Sequence, residues 1–225
     1  MQTMGGFLRM VKAIILDCWD TLFYNDFMFG VIRQLSDRLG KGFHHHDLIK
    51  TFEKHFMLKR YPKLEVPTRR MLAELKIDWP KQVIDELVGL LKKVQAEEHS
   101  RPFPETMSVL SSLRAKRIYK LGLLTNSIYQ GFNPLKRRYK LESLFDVILP
   151  SYEAGLIKPD PRFFELMIKQ LGLSKSQAIM FGDSLKDDIE GAENAGIRAV
   201  LIDRKNRHPE YASRITSLEG VYDFI

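Results

Sequence analysis

The stretch Val11-Lys12-Ala13-Ile14-Ile15-Leu16-Asp17-Cys18-Trp19-Asp20-Thr21 decides how this chain is read. Residues 11–16 form a largely apolar run, too short for a helix and of the right length for a strand buried on both faces. The run stops at a carboxylate, Asp17. In an open parallel sheet the reactive crevice lies beyond the carboxyl ends of the strands, so a charged group at that point sits where chemistry is done.

The same arrangement recurs downstream. Thr125-Asn126 follows an apolar run over residues 119–124, and Gly182-Asp183-Ser184 follows one over residues 178–181. Strands expected at 11–16, 119–124, 147–149, 178–181 and 199–202 alternate with helices expected at 105–116, 134–139, 161–171 and 188–194. That alternation predicts an α/β fold, a Rossmann-like, doubly wound parallel sheet wrapped by helices on both faces. Lys158-Pro159-Asp160 reads as a turn, with Pro161 at the first position of the helix it enters.

Between the first strand and residue 100 the pattern is helical. Met28, Val31, Ile32, Leu35 and Leu39 share one stripe, closed by Gly40. A second helix is expected over 47–59, and Thr68 is expected to cap a short one carrying Met71, Leu72 and Leu75. Asp78-Trp79-Pro80 opens a long helix with Val83, Ile84, Leu87, Leu91 and Val94 inward. The expected organisation is an α/β core from residues 11–24 and 100–225, an all-helical insert over 25–99, and an aperiodic tail over 1–10.

A chain of 225 residues with 44% apolar composition can bury a substantial core. Its net charge of +7 favours anionic ligands. That charge does not choose between phosphate esters and nucleic acid, but the Lys and Arg residues are interleaved with Glu and Asp as on solvated helix faces, and no nucleic-acid partner is expected. The single cysteine excludes an internal disulfide, and neither a leader nor a long apolar span is visible. A cytoplasmic protein without a membrane partner, monomer or homodimer, is the expectation.

Phosphate-ester hydrolysis needs an acceleration of up to about 10²¹, or roughly 28 kcal/mol. Such a site needs a nucleophile, a proton donor for the leaving group, and positive charge or hydrogen-bond donors on the phosphoryl oxygens. Asp17-Cys18-Trp19-Asp20-Thr21, Thr125-Asn126, Lys158-Pro159, Gly182-Asp183-Ser184 and Asp187-Asp188 contain candidates for all of these. Asp183 and Asp188 are five apart and would diverge on a continuous helix, so residues 184–186 are expected to form a turn that aims both at one cation. Hard oxygen donors without histidine favour Mg2+ over zinc.

In these elements and their order the chain resembles the haloacid dehalogenase-like hydrolases, whose phosphatases carry an Asp-x-Asp-x-Thr type start, a Thr or Ser, a Lys and a late acidic pair. The resemblance implies that Asp17 is a nucleophile forming an aspartyl-phosphate and that Thr125 and Asn126 bind the phosphoryl group. It implies that Lys158 neutralises charge between them. Asp17, the backbone carbonyl of Trp19, Asp183 and Asp188 would hold the metal, with Asp187 beside them. It also makes the helical insert a cap of the all-helical (C1) type, closing over a small phosphorylated metabolite.

One position departs from the family pattern. The second acid lies two residues after the first, where this chain has Trp19, so proton donation falls to Asp20 or to another group. A haloacid dehalogenase, a phosphomutase and a non-catalytic binding scaffold are the alternatives on the same core. His44-His45-His46 reads as a surface loop, Cys18 as buried filler, and Trp19 with Phe23 as pocket wall or core. Arg60, Arg69 and Arg70 read as solvent-exposed, with an anion contact as the sharper alternative.

Overall fold

A computed structural model describes residues 11–25, 34, 36–37, 45–77, 80–96 and 100–225. Strand β1 runs over Ala13–Leu16 with every residue buried, as a strand covered on both faces must be. It is flanked in parallel by β2 (Lys120–Thr125) and β4 (Ala178–Gly182), with Ile14 level with Leu121 on one side and with Ile179 on the other. β3 (Val147–Pro150) extends the sheet beyond β2. β5 (Arg198–Ile202) and the two-residue β6 (Arg214–Ile215) extend it beyond β4, giving the order β3-β2-β1-β4-β5-β6. The crevice of a doubly wound sheet falls where the winding direction changes, here past the ends of β1, β2 and β4.

After β1 the chain leaves the sheet. Helix α1 (His45–Phe52) continues into a wider π-helical turn, Glu53–Met57, followed by α2 (Glu65–Glu74) and α3 (Lys81–Ala96). Leu48, Phe52, Met71, Leu72, Leu87 and Leu91 build an apolar cluster here, joined by Ile128 from beyond β2. Phe52 and Phe56 stack within it at 4.3 Å. The periodic residues Met71, Leu72, Ile84, Leu87 and Leu91 are inward as expected, with Leu75 at the margin. The stripe from Met28 to Leu39, its closing Gly40, the tail over 1–10, Asp78, Trp79, and the side chains of Val83 and Val94 lie outside the described residues.

The period-two alternation of the strands divides the rest of the core. Ile14, Leu16, Leu121, Leu123, Ile179 and Phe181 meet α4 (Thr106–Lys116), α5 (Tyr129–Arg138) and α6 (Leu141–Leu144) on one face. Ala13, Ile15, Leu124, Met180 and Leu201 meet α8 (Pro161–Leu171) and α9 (Gly191–Asn194) on the other, with the short α7 (Ser151–Ala154) following β3. No helix among the described residues is long and apolar enough to cross a membrane.

Several boundaries differ from expectation. Thr68 does not cap α2 but lies inside it, its hydroxyl donating to Leu64 O at 2.7 Å. α5 starts at Tyr129, well before Pro134, because burial of Phe132 and Leu135 outweighs the one N–H that proline lacks. His45 and His46 open α1 instead of lying in a loop, and His44 is outside the described residues. Residues 185–187 are already helical, in a wide turn over Leu185–Glu190.

The two strands linking insert and sheet are tied to each other. Tyr24 N–H donates to Arg101 O and Phe103 N–H to Leu22 O, each at 3.0 Å, and Thr106 Oγ1 donates to Leu22 O at 2.9 Å. Arg204 fastens the junction from outside: it lies 3.7 Å over the Phe103 ring, pairs with Glu105 at 2.7 Å and donates to Thr21 O at 2.7 Å. Because Leu123 is fully buried between sheet and helices, Leu123→Ala is expected to lower unfolding free energy by about 2 to 5 kcal/mol, read from the urea midpoint.

Candidate active site

Asp17 is the first residue beyond β1, and its N–H still donates to Phe181 O of β4 at 3.0 Å, so the sheet ladder fixes its backbone. The following loop turns sharply. Asp20 takes a left-handed conformation (φ 55), which aspartate tolerates better than most residues, and its N–H donates to Phe23 O at 2.7 Å. Cys18 and Phe23 pack into the core, while Trp19 and Asp20 line a cleft with Asp17.

Lys158 approaches from the opposite side. Gly155 ends α7 with φ 66, and Asp160 caps α8 by accepting from Arg162 N–H at 2.9 Å, with Pro161 in the first turn as expected. Between these stops the Lys158 backbone is clasped at two points by Asn126: Lys158 N–H donates to Oδ1 at 2.8 Å and Nδ2 donates to Lys158 O at 3.1 Å. The ammonium then reaches Asp17 Oδ1 and Asp188 Oδ1, each at 2.6 Å, with all three side chains nearly sealed from water.

The acidic pair comes from the end of β4. Ser184 caps the helical turn that follows, accepting from Asp187 N–H at 3.1 Å, so Asp183 stays outside the helix and the five-residue spacing does not separate it from Asp188. Asp188 folds back, its Oδ2 accepting from Ser184 N–H at 3.0 Å. It lies so close to Gly182 that any β-carbon there would collide with the Asp188 side chain.

One ligand oxygen from each of Asp17, Asp183 and Asp188 can be chosen so that all lie within 4.8 Å of one another. Asp187, expected beside the metal, lines the cleft without joining this group. Burial pushes the Asp17 carboxyl up to about 7, with Lys158 pulling it down and Asp188 adding to the rise. Burial, then Asp17, Asp188 and Asp20, push Asp183 up to about 8. For Lys158 burial works against the charge, yet the two carboxylates outweigh it and hold the ammonium above the ordinary lysine range. Three carboxylates against one ammonium leave a formal excess of two negative charges, which is the charge of one divalent cation. The donor set therefore fits such an ion.

Thr125 is fully buried, and its hydroxyl shares a 2.8 Å hydrogen bond with Ser127 Oγ. The same Ser127 Oγ accepts from the Trp19 indole at 2.8 Å. The departure at position 19 thus places an apolar ring on the cleft and ties it to the Thr125 loop. None of Arg60, Arg69 and Arg70 lines the cleft; Arg60 is bonded to Tyr129 at 2.6 Å instead.

Sequence reasoning missed Ser127, Arg207 and Glu53. Ser127 stands two residues past Thr125, where its neighbourhood was a usable signal. Arg207 comes from a loop after β5, and Glu53 from the turn after α1, and neither carries a motif. Burial and then Asp187 push the Glu53 carboxyl up to about 7, with Lys186 and Lys50 pulling the other way. The cleft has a volume of about 370 Å³. A larger hollow of about 760 Å³ lies at the opposite end of the strands near Lys12 and Lys120, away from all of these groups.

A family model described as haloacid dehalogenase-like hydrolase matches residues 11–196. A glyceraldehyde 3-phosphate phosphatase of Methanothermobacter thermautotrophicus is 36% identical over 102 residues, which is 45% of this chain and 45% of that protein. The chain thus spans about half the length of that curated relative. Among solved structures, a haloacid dehalogenase-type phosphatase from Thermococcus onnurineus aligns with a TM-score of 0.62 at 24% identity, over 95% of this chain and 97% of that one. A 2-haloacid dehalogenase from Pseudomonas syringae aligns with a TM-score of 0.63 at 23% identity, over 96% and 98%. Those two likenesses concern the fold.

A carboxyl raised on folding keeps a proton that the unfolded chain releases. These groups therefore cost stability as pH rises through the folded values of about 7 and about 8. A cation must displace those protons, so its binding strengthens over the same window. Added Mg2+ is expected to raise the melting temperature more at about pH 8.5 than at about pH 6. Equal shifts at both would contradict the assignment of these carboxylates.

Proposed function

The chain belongs to the haloacid dehalogenase-like hydrolase family, and on that footing we propose that it is a Mg2+-dependent phosphatase acting on a small phosphorylated metabolite through an aspartyl-phosphate. The observation that carries this reading is the buried group of Asp17, Asp183 and Asp188 set against Lys158. A carboxylate nucleophile, a fixed ammonium and a site of matching charge for a divalent ion meet in one cleft of small-metabolite size. The phosphatase relative from Methanothermobacter supports the substrate type.

In this mechanism an Asp17 oxygen attacks phosphorus, a bond forms from that oxygen to phosphorus, and the bond to the ester oxygen breaks. Asp20 gives its proton to the departing alkoxide. It then takes one from the water that attacks phosphorus and frees Asp17 and inorganic phosphate. Lys158 offsets charge on Asp17 and the phosphoryl oxygens, Asn126 keeps Lys158 in place, and Thr125 donates to a phosphoryl oxygen by turning its hydroxyl from Ser127. Mg2+ held by Asp17, Asp183, Asp188 and the Trp19 carbonyl would neutralise charge on the phosphoryl group. The helical insert acts as a cap that excludes water.

A second reading, a haloacid dehalogenase, is favoured by Trp19 at the position of the usual acid. It uses Asp17 on carbon and needs no divalent ion, which leaves the Asp183 and Asp188 carboxylates without a role. Phosphate release abolished by chelation and by Asp17→Asn is the expected result; halide release from a 2-haloacid that survives chelation would select the other reading. As a test of the proton donor, Asp20→Asn should slow an alkyl phosphate by about 10² to 10⁴ in kcat. It should slow p-nitrophenyl phosphate far less, because that leaving group departs without a proton. Equal losses on both would remove Asp20 from the role.

A further inference from the structure

The insert contributes a mainly apolar wall to the cleft, Ile49, Phe52 and Met57, interrupted by one carboxylate, Glu53. Glu53 is half-buried and has no hydrogen bond or ion pair among the described residues. The charged groups that face it are Lys50 from its own helix and Lys186 and Asp187 from the turn after β4. Asp17 and Lys158 line the same cleft, so the leaving group of a phosphoryl group held by them would share that space with this wall.

Resting on the phosphatase reading, we infer that Glu53 selects the leaving group: a few-carbon phosphate ester carrying a hydroxyl or ammonium donor, and no carboxylate, is the substrate class of this cleft. A carboxylate only accepts hydrogen bonds, and leaving it unpaired beside apolar side chains is costly, so a substrate that brings a donor gains what an alkyl chain does not. A carboxylate on the substrate would meet Glu53 and Asp187 inside the cleft, where like charges repel more strongly than in water, with Lys50 and Lys186 already set against Glu53. The volume of about 370 Å³, shared between phosphoryl and leaving groups, keeps the ester small.

The test measures kcat/KM of the full chain in Mg2+ on two donor esters, glycerol phosphate and phosphoethanolamine, and on two carboxylated esters, phosphoglycolate and phospholactate. The wild type is expected to prefer the donor pair by about tenfold or more. Glu53→Gln should narrow that ratio mainly through KM, and Glu53→Lys should invert it, with melting temperatures recorded for both. A wild-type preference for the carboxylated pair, or a ratio unmoved in a folded Glu53→Gln, would overturn the inference. Should Glu53→Lys fail to fold, the isosteric Glu53→Gln still separates the two outcomes. A wild type inactive on p-nitrophenyl phosphate and all four esters would overturn the phosphatase reading along with this one; turnover without Glu53-dependent preference overturns this one alone.

Discussion

One ammonium held between two carboxylates, with almost no water, is the constraint on which the site depends. Lys158 meets Asp17 and Asp188 at 2.6 Å each, and the two carboxylates together outweigh the burial that works against its charge. Taking one member from such a buried set typically costs about 3 to 5 kcal/mol, since the rest are left uncompensated. Much of the local sequence serves this contact. Gly182 leaves room for Asp188, Asn126 grips the Lys158 backbone from the end of β2, and the Asp160 cap with Pro161 starts α8 only after Lys158, which can then turn inward.

The protein is basic and its site is acidic. The net charge of +7 raises the concentration of anions near the molecule. Inside the cleft the balance is reversed, with Asp183 raised by Asp17, Asp188 and Asp20 as well as by burial. The formal excess of carboxylates there matches what one divalent cation would offset. Long-range attraction of anions and short-range balance among the cleft carboxylates are thus separate electrostatic tasks, and the first does not substitute for the second.

The sheet is legible in the sequence because a strand covered on both faces reads as an apolar run, and β1 and β4 do so throughout while β2 and β5 do so after an exposed Lys120 and Arg198. Asp17, Asp183 and Thr125 are legible because each stands at the end of such a run. α8 is legible to the residue, its start marked by Pro161. Other parts carry no such pattern. β6 is two residues long, and the start of α5 is hidden by Pro134, whose missing N–H looks like a boundary. Glu53, in the helical turn after α1, and Arg207, in a loop after β5, reach the cleft only through the tertiary path of their segments, so their local sequence resembles any solvated segment. Trp19 stands out as a departure, but its bond to Ser127 joins residues 108 apart in sequence and no spacing rule predicts it.

Diffraction from crystals soaked in Mn2+, an ion of Mg2+ type with an anomalous signal, tests the central claim most directly. The account predicts an anomalous peak among the carboxylates of Asp17, Asp183 and Asp188, with Lys158 still bonded to Asp17. A peak elsewhere with none in this cleft, or an Asp17 turned away from Asp183, would contradict it.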